Sequence, residues 1–156
     1  MVHVTSDVRL VIAGQPEHAD YADLLRDAVR EHGLQDRVEL QLEWIPEEVK
    51  TRLLADCLAV LYLPVDEDSY GYPTLEASHS RKAVVSVTDS GGVPEFVVNG
   101  VSGMVTEPTP SALAESIDRL RLEPGLAESM GQAAWERRSQ LGISWDVVVP
   151  RLLGVA

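Results

Sequence analysis

From end to end the chain alternates short apolar runs with segments of three-and-four apolar spacing, and no other feature restricts its fold as strongly. Strand-then-helix repetition builds parallel sheets covered by helices, because a parallel crossover needs a dozen or more residues. Residues 8–13 form a nearly continuous apolar run closed by Gly14, the pattern of a strand buried on both faces. Pro16 then suits a first helical turn, and Tyr21, Leu24, Leu25, Ala28 and Val29 follow at helical spacing up to His32-Gly33. Residues 38–42 are a weaker strand, interrupted by Glu39 and Gln41 as an edge would be, and Pro46 opens a helix through Val49, Leu53 and Leu54.

Residues 58–63 are the most apolar stretch and are expected as a central parallel strand, ahead of an acidic loop with glycine and proline at 64–73. Pro73 starts a helix carrying Leu75, Glu76 and Ala77; residues 83–87 are a further strand, and 94–98 one helical turn closed by Asn99-Gly100. A last strand is expected at 104–106. Thr109-Pro110 caps a helix with Leu113, Ala114, Ile117 and Leu120 on one face, and helices follow at 126–140 and, behind Ser144, at 145–153. The expectation is one α/β domain over 1–156, Rossmann-like and doubly wound with a mostly parallel sheet, extra C-terminal helices at about 126–153, and a ligand site at the carboxyl ends of the strands.

Composition narrows the function. A chain of 156 residues that is 45 % hydrophobic can bury a real core, so disorder is not expected. Its formal charge of -12 disfavours binding to nucleic acid phosphates or anionic lipid. Residues 1–78 hold 16 acids and 6 bases whereas 79–156 hold 9 and 7, so a polyanionic ligand finds less repulsion in the second half. Cys57 is the single cysteine, which excludes an internal disulfide and suits a reducing compartment. No apolar run approaches the ~20 residues that span a bilayer, and the first residues lack a basic and then apolar leader, so a cytoplasmic protein is expected. His3, His18, His32 and His79 show no metal-ligand spacing, and no metal is expected.

Two loops can carry chemistry. Asp68-Ser69-Tyr70-Gly71-Tyr72-Pro73-Thr74-Leu75-Glu76 sets two carboxylates eight residues apart, one in the loop and one early in the next helix. Gly71 lets the backbone approach a ligand, amides near Gly71 and Tyr72 precede a helix N-terminus that favours anions, and a carboxylate there accepts from sugar hydroxyls. The alternative is a solvated acidic face at Asp66, Glu67 and Asp68, with Glu76 complementing the helix dipole. Gly91-Gly92, ahead of Pro94 and Glu95, is the second candidate, a nest of amides for a phosphate or sugar; a plain strand-to-helix turn needs the same glycines. No dinucleotide-binding Gly-x-Gly-x-x-Gly and no P-loop occurs.

In this order the motifs resemble the C-terminal, donor-binding domain of the group 1 retaining glycosyltransferases, which have the GT-B fold. The resemblance covers nearly the whole chain: residues 8–14, Asp36-Arg37-Val38, the Glu-x7-Glu-like stretch 68–76, Ser90-Gly91-Gly92-Val93-Pro94-Glu95, residues 99–103 and Ser144-Trp145. It implies that Glu76 holds the ribose hydroxyls of a nucleoside-diphosphate sugar, that Asp68 stands where the family has a hexose-contacting Glu, and that Ser69, Tyr70, Gly71, Tyr72, Pro73, Thr74, Gly91 and Gly92 line the donor site. It implies glycosyl transfer with retention, of hexosyl type, to an acceptor, with no cofactor and no essential metal.

Several departures accompany the resemblance. Asp68 replaces a Glu, Glu43 stands in place of a glycine, and Arg81-Lys82-Ala83 replaces Gly-Lys-Pro while adding positive charge near the site. The family's first strand, with an Arg and a Lys for the donor pyrophosphate, and the N-terminal acceptor domain are not in this sequence. The chain alone is therefore expected to be inactive, with residues 8–13 either beside 58–63 or at a free strand edge through which a homodimer forms. A non-catalytic Rossmann-like module binding a sugar nucleotide or a protein is the competing reading. An epimerase of GT-B fold lacks a placeable catalytic histidine.

Overall fold

The computed structural model describes residues 1–154 of the chain. Among these residues the order is β1 (Leu10–Ala13), α1 (Ala19–Glu31), β2 (Val38–Gln41), α2 (Glu47–Asp56), β3 (Ala59–Leu61), α3 (Tyr72–His79), β4 (Ala83–Val87), α4 (Val93–Phe96), β5 (Gly103–Thr106), α5 (Pro110–Leu122), α6 (Leu126–Gln140) and α7 (Trp145–Leu153). All strand pairs are parallel, as the alternation requires. They fall into two sheets, β1-β2 and β3-β4-β5, so β1 and β3 are not paired and each keeps a free edge. Of the two arrangements expected for residues 8–13, the free edge is the one found.

β4 organises the larger unit. Its residues alternate between faces: Val84 joins Ala77, Val93, Phe96 and Ala134 on one side, while Ala83 and Val85 join Met104, Leu120 and Met130 on the other. All five residues of β4 are buried. β3 was expected as the central strand, but it is a half-buried edge strand of three residues, because β4 takes the position with two neighbours. β1 is likewise half-buried to exposed rather than covered on both faces, since β2 is its one partner.

Helix α1 starts at Ala19, so Pro16 lies before the helix and not in its first turn. Its inward stripe is Ala22, Leu25 and Val29; Tyr21 and Leu24 are 63 % and 64 % exposed. Helix α5 begins as expected, with the Thr109 hydroxyl accepting from the Ala112 amide, a cap that contributes about 1 kcal/mol. α6 is no appendage, for Met130 and Ala134 are 1 % exposed and the helix packs on β4 and α3. A Cβ at Gly131 would lie 2.0 Å from the Arg81 carbonyl oxygen, so α6 needs a glycine to approach that turn.

Residues 4–8 join the two units. The Arg37 guanidinium, just ahead of β2, donates to the carbonyls of Val4, Ser6 and Val8. From α5, the Asp118 carboxylate accepts from the amides and hydroxyls of Thr5 and Ser6.

Candidate functional site

The loop between β3 and α3 lies where the sequence placed it, at the carboxyl ends of β3 and β4, and an unforeseen residue organises it. Tyr62, just past β3, donates through its hydroxyl to Glu67 Oε2 at 2.8 Å, and the Ser69 hydroxyl donates to Oε1 at 3.2 Å. Burial, and then the hydrogen bond to Glu67, push the Tyr62 phenol up to about 12. The same bond holds the Glu67 carboxylate below its ordinary range. Glu67 is therefore the loop's internal acceptor, and the neighbouring Asp68 is exposed. The register of the Glu-x7-Glu-like stretch pointed to Asp68; the tyrosine five residues before Glu67 was the available signal for the other role.

The glycines let this loop pack. Gly71 has φ +71°, and a Cβ there would meet the Tyr62 ring at 2.2 Å. Gly91, at φ +62°, would set a Cβ 2.2 Å from the Glu67 carbonyl oxygen, and Gly92 one 2.8 Å from that of Ser69. The Gly92 amide donates to the Glu67 carbonyl at 2.7 Å, so Gly91-Gly92 cradles the acidic loop's own backbone. Asp66 and Asp89 complete the junction by a backbone bond of 2.9 Å. Below them the Ser86 hydroxyl donates to the Tyr62 carbonyl and meets the Ser90 hydroxyl at 2.8 Å, a buried polar tie between the two strand ends.

The remaining candidates divide between core and surface. Tyr70 packs on Phe96 with ring centroids 5.7 Å apart, so it anchors the loop. Thr74 is 0 % exposed, and its hydroxyl has no partner among the described residues. Tyr72 is 83 % exposed at the start of α3, and Pro73 occupies that helix's first turn. Glu76 is partly exposed one turn further on, where Lys50 of α2 donates to its Oε1 at 2.7 Å.

Arg81 and Lys82 do not add charge to this site. They precede β4, at the end of the strand away from the loop: Lys82 Nζ donates to the carbonyls of Ala55 and Cys57, and Arg81 stacks 4.9 Å from the Trp135 ring centroid. A hollow of about 620 Å³ lies there too, bounded by Ser80, Arg81, Lys82 and α6 residues, and it is not the loop site. Among the described residues no three His, Cys, Asp or Glu side chains converge as metal ligands, and no helix is long and apolar enough to cross a membrane.

A model of the family "Glycosyl transferases group 1" matches residues 3–137. The chain belongs to this family. An alpha-1,3/1,6-mannosyltransferase of Dictyostelium discoideum is 33 % identical over 118 residues, 76 % of this chain and 27 % of that protein. An alpha-maltose-1-phosphate synthase of Mycobacterium tuberculosis is 30 % identical over 161 residues, covering 96 % of this chain and 40 % of that one. The crystal structure of Anabaena HepE in complex with UDP superposes with a TM-score of 0.82 at 24 % identity, over 98 % of this chain and 43 % of HepE. This group 1 chain thus has the GT-B type of α/β fold and spans less than half the length of these relatives.

Proposed function

We propose that residues 1–156 are the donor-binding domain of a retaining group 1 glycosyltransferase, with the nucleoside-diphosphate sugar at the carboxyl ends of β3 and β4. One observation carries the reading: Glu76 presents a half-open carboxylate beside the first turn of α3, behind a loop in which Glu67 is already hydrogen-bonded within the fold. Glu76 accepts from the ribose hydroxyls, a role suited to an ionised carboxylate. Asp68, exposed in the loop ahead of α3, reaches the donor hexose with one methylene less than a Glu. The Tyr72 amide faces the diphosphate at the α3 N-terminus, while the Gly71 amide is held by the Ser69 hydroxyl, with Ser69, Pro73 and Thr74 shaping the turn. Gly91 and Gly92 contribute by holding that turn in place. The similar HepE structures hold UDP and UDP-glucose, which supports a nucleotide-sugar ligand here.

In the reaction, the bond from the anomeric carbon to the diphosphate breaks, the acceptor hydroxyl oxygen takes the glycosyl group and passes its proton to the departing diphosphate oxygen, and the nucleoside diphosphate leaves with its remaining charge held by amide dipoles. No side chain serves as a covalent nucleophile and no cofactor or metal is invoked. The acceptor is held by another part of the enzyme, so this chain alone transfers no sugar. Calorimetry of the chain with UDP, GDP, ADP and their sugars tests the reading. Binding that Glu76→Ala reduces at least tenfold is expected; a wild-type chain that binds none of them refutes the donor-binding role and favours a non-catalytic module. Robust transfer by the chain alone would refute its dependence on another domain.

A further inference from the structure

Glu76 has a partner on the preceding helix. Lys50, on α2, reaches across to α3 and donates to Glu76 Oε1 at 2.7 Å and to Glu47 Oε2 at 3.0 Å. Among the described residues no other donor reaches the Glu76 carboxylate. The two acids, Glu76 first, raise the affinity of Lys50 for its proton and keep it cationic. The Lys50 and Glu76 side chains are 33 % and 36 % exposed, and an ion pair so open to water adds little to stability. Its effect is on direction. A carboxylate on a free rotor offers its oxygens to many orientations, whereas one fixed through Oε1 presents Oε2 along a single line.

Resting on the reading that Glu76 receives the ribose, we propose that Lys50 is a positioning residue for nucleotide recognition: by holding Oε1 it aims Oε2 of Glu76 at the ribose hydroxyls. The donor site then draws on two successive helices: α2 supplies the lysine, and α3 supplies the carboxylate.

Three proteins and two ligands separate this from its rivals. The wild-type 156-residue chain, K50M and K50R are titrated with whichever of UDP, GDP and ADP the wild type binds, and with the 2′,3′-dideoxy form of the same nucleotide. Thermal melts establish that each variant is folded. The wild type is expected to prefer the ribose form by about tenfold or more, as for hydrogen bonds to a charged group. K50M should lower that preference to about threefold or less, and K50R should keep most of it.

An undiminished preference in K50M overturns the proposal. So does an equal loss for both ligands, which would mean that Lys50 acts on the phosphates or on the fold. Preference lost in Glu76→Gln but kept in K50M breaks this inference and leaves the ribose role of Glu76 standing. A wild type without any ribose preference removes both.

Discussion

β1 and β4 are built from the same kind of residue, Leu-Val-Ile-Ala in one and Ala-Val-Val-Ser-Val in the other, yet β4 is buried throughout and β1 has no buried residue. The difference is in their neighbours. β4 has a strand on each side and helices α3, α5 and α6 against it, whereas β1 has β2 alone and leaves Val11 38 % exposed. Apolar composition makes a strand; the number of layers and edges around it determines what that strand contributes to stability.

The largest effect should follow from emptying the β4 side. Phe96→Ala removes a ring that is 0 % exposed and anchors Tyr70, and should cost about 3–5 kcal/mol in chemical denaturation. Val11→Ala, on β1, should cost less than about 1 kcal/mol. Equal losses would mean that the two units do not differ in packing as their burial indicates.

A pair of glycines sharpens the same contrast. Gly33, after α1, and Gly91, at the acidic loop, have nearly the same backbone angle, φ +63° and +62°. A Cβ at Gly33 meets nothing within 4 Å, while one at Gly91 meets the Glu67 carbonyl oxygen at 2.2 Å. Gly33→Ala therefore carries the left-handed backbone cost alone, about 1–2 kcal/mol. Gly91→Ala adds overpacking of about 1–3 kcal/mol and displaces the loop. Melting curves of the two variants would contradict the cradle role of Gly91-Gly92 if they coincided.

The sequence made the alternation of elements legible because each segment carries its own period and punctuation. The bounds of β4 and α6 fall where apolar spacing places them, and α5 and α7 start behind Thr109 and Ser144 as read from the sequence. What local pattern does not carry is the neighbour of each strand, and so residues 8–13 and 58–63 read as buried central strands when both have a free edge. In the site, the register of 68–76 led to Glu76 and to the turn at Gly71. It was silent on Glu67, whose role depends on Tyr62 folding back across the loop, and on Lys50, which comes from a helix 26 residues earlier. Arg81 and Lys82, near Glu76 in sequence, are separated from the loop by the length of a helix.

The joint between the units should be acid-sensitive. Hydrogen bonds from Ser6 and then Thr5 hold the Asp118 carboxyl well below the usual aspartate range. A carboxyl depressed in the folded state stabilises it above the unfolded value of about 4, and that contribution is lost as pH falls below it. Wild-type stability should therefore drop more steeply between pH 5 and pH 2, on the order of one extra proton taken up on unfolding, than that of Asp118→Asn. Parallel pH profiles would show that residues 4–8 are held by Arg37 without Asp118.

The smallest effect lies inside the loop of the better-packed unit. Tyr62 is raised to about 12, by burial first and by its bond to Glu67 second, so its phenol is stabilised in the protonated form. The sign is opposite to that of Asp118: the contribution is complete below the unfolded tyrosine value of about 10 and is lost as pH rises through the folded one. Glu67→Gln leaves a neutral acceptor and removes the charge, so the Tyr62 midpoint, followed by the NMR shift of its ring carbon, should move down while remaining above about 10 because burial persists. A midpoint unmoved in Glu67→Gln would separate Glu67 from Tyr62. The loop's order would then rest on the Gly91-Gly92 cradle and the Tyr70 anchor, which the neighbouring strands and helices of β4 supply.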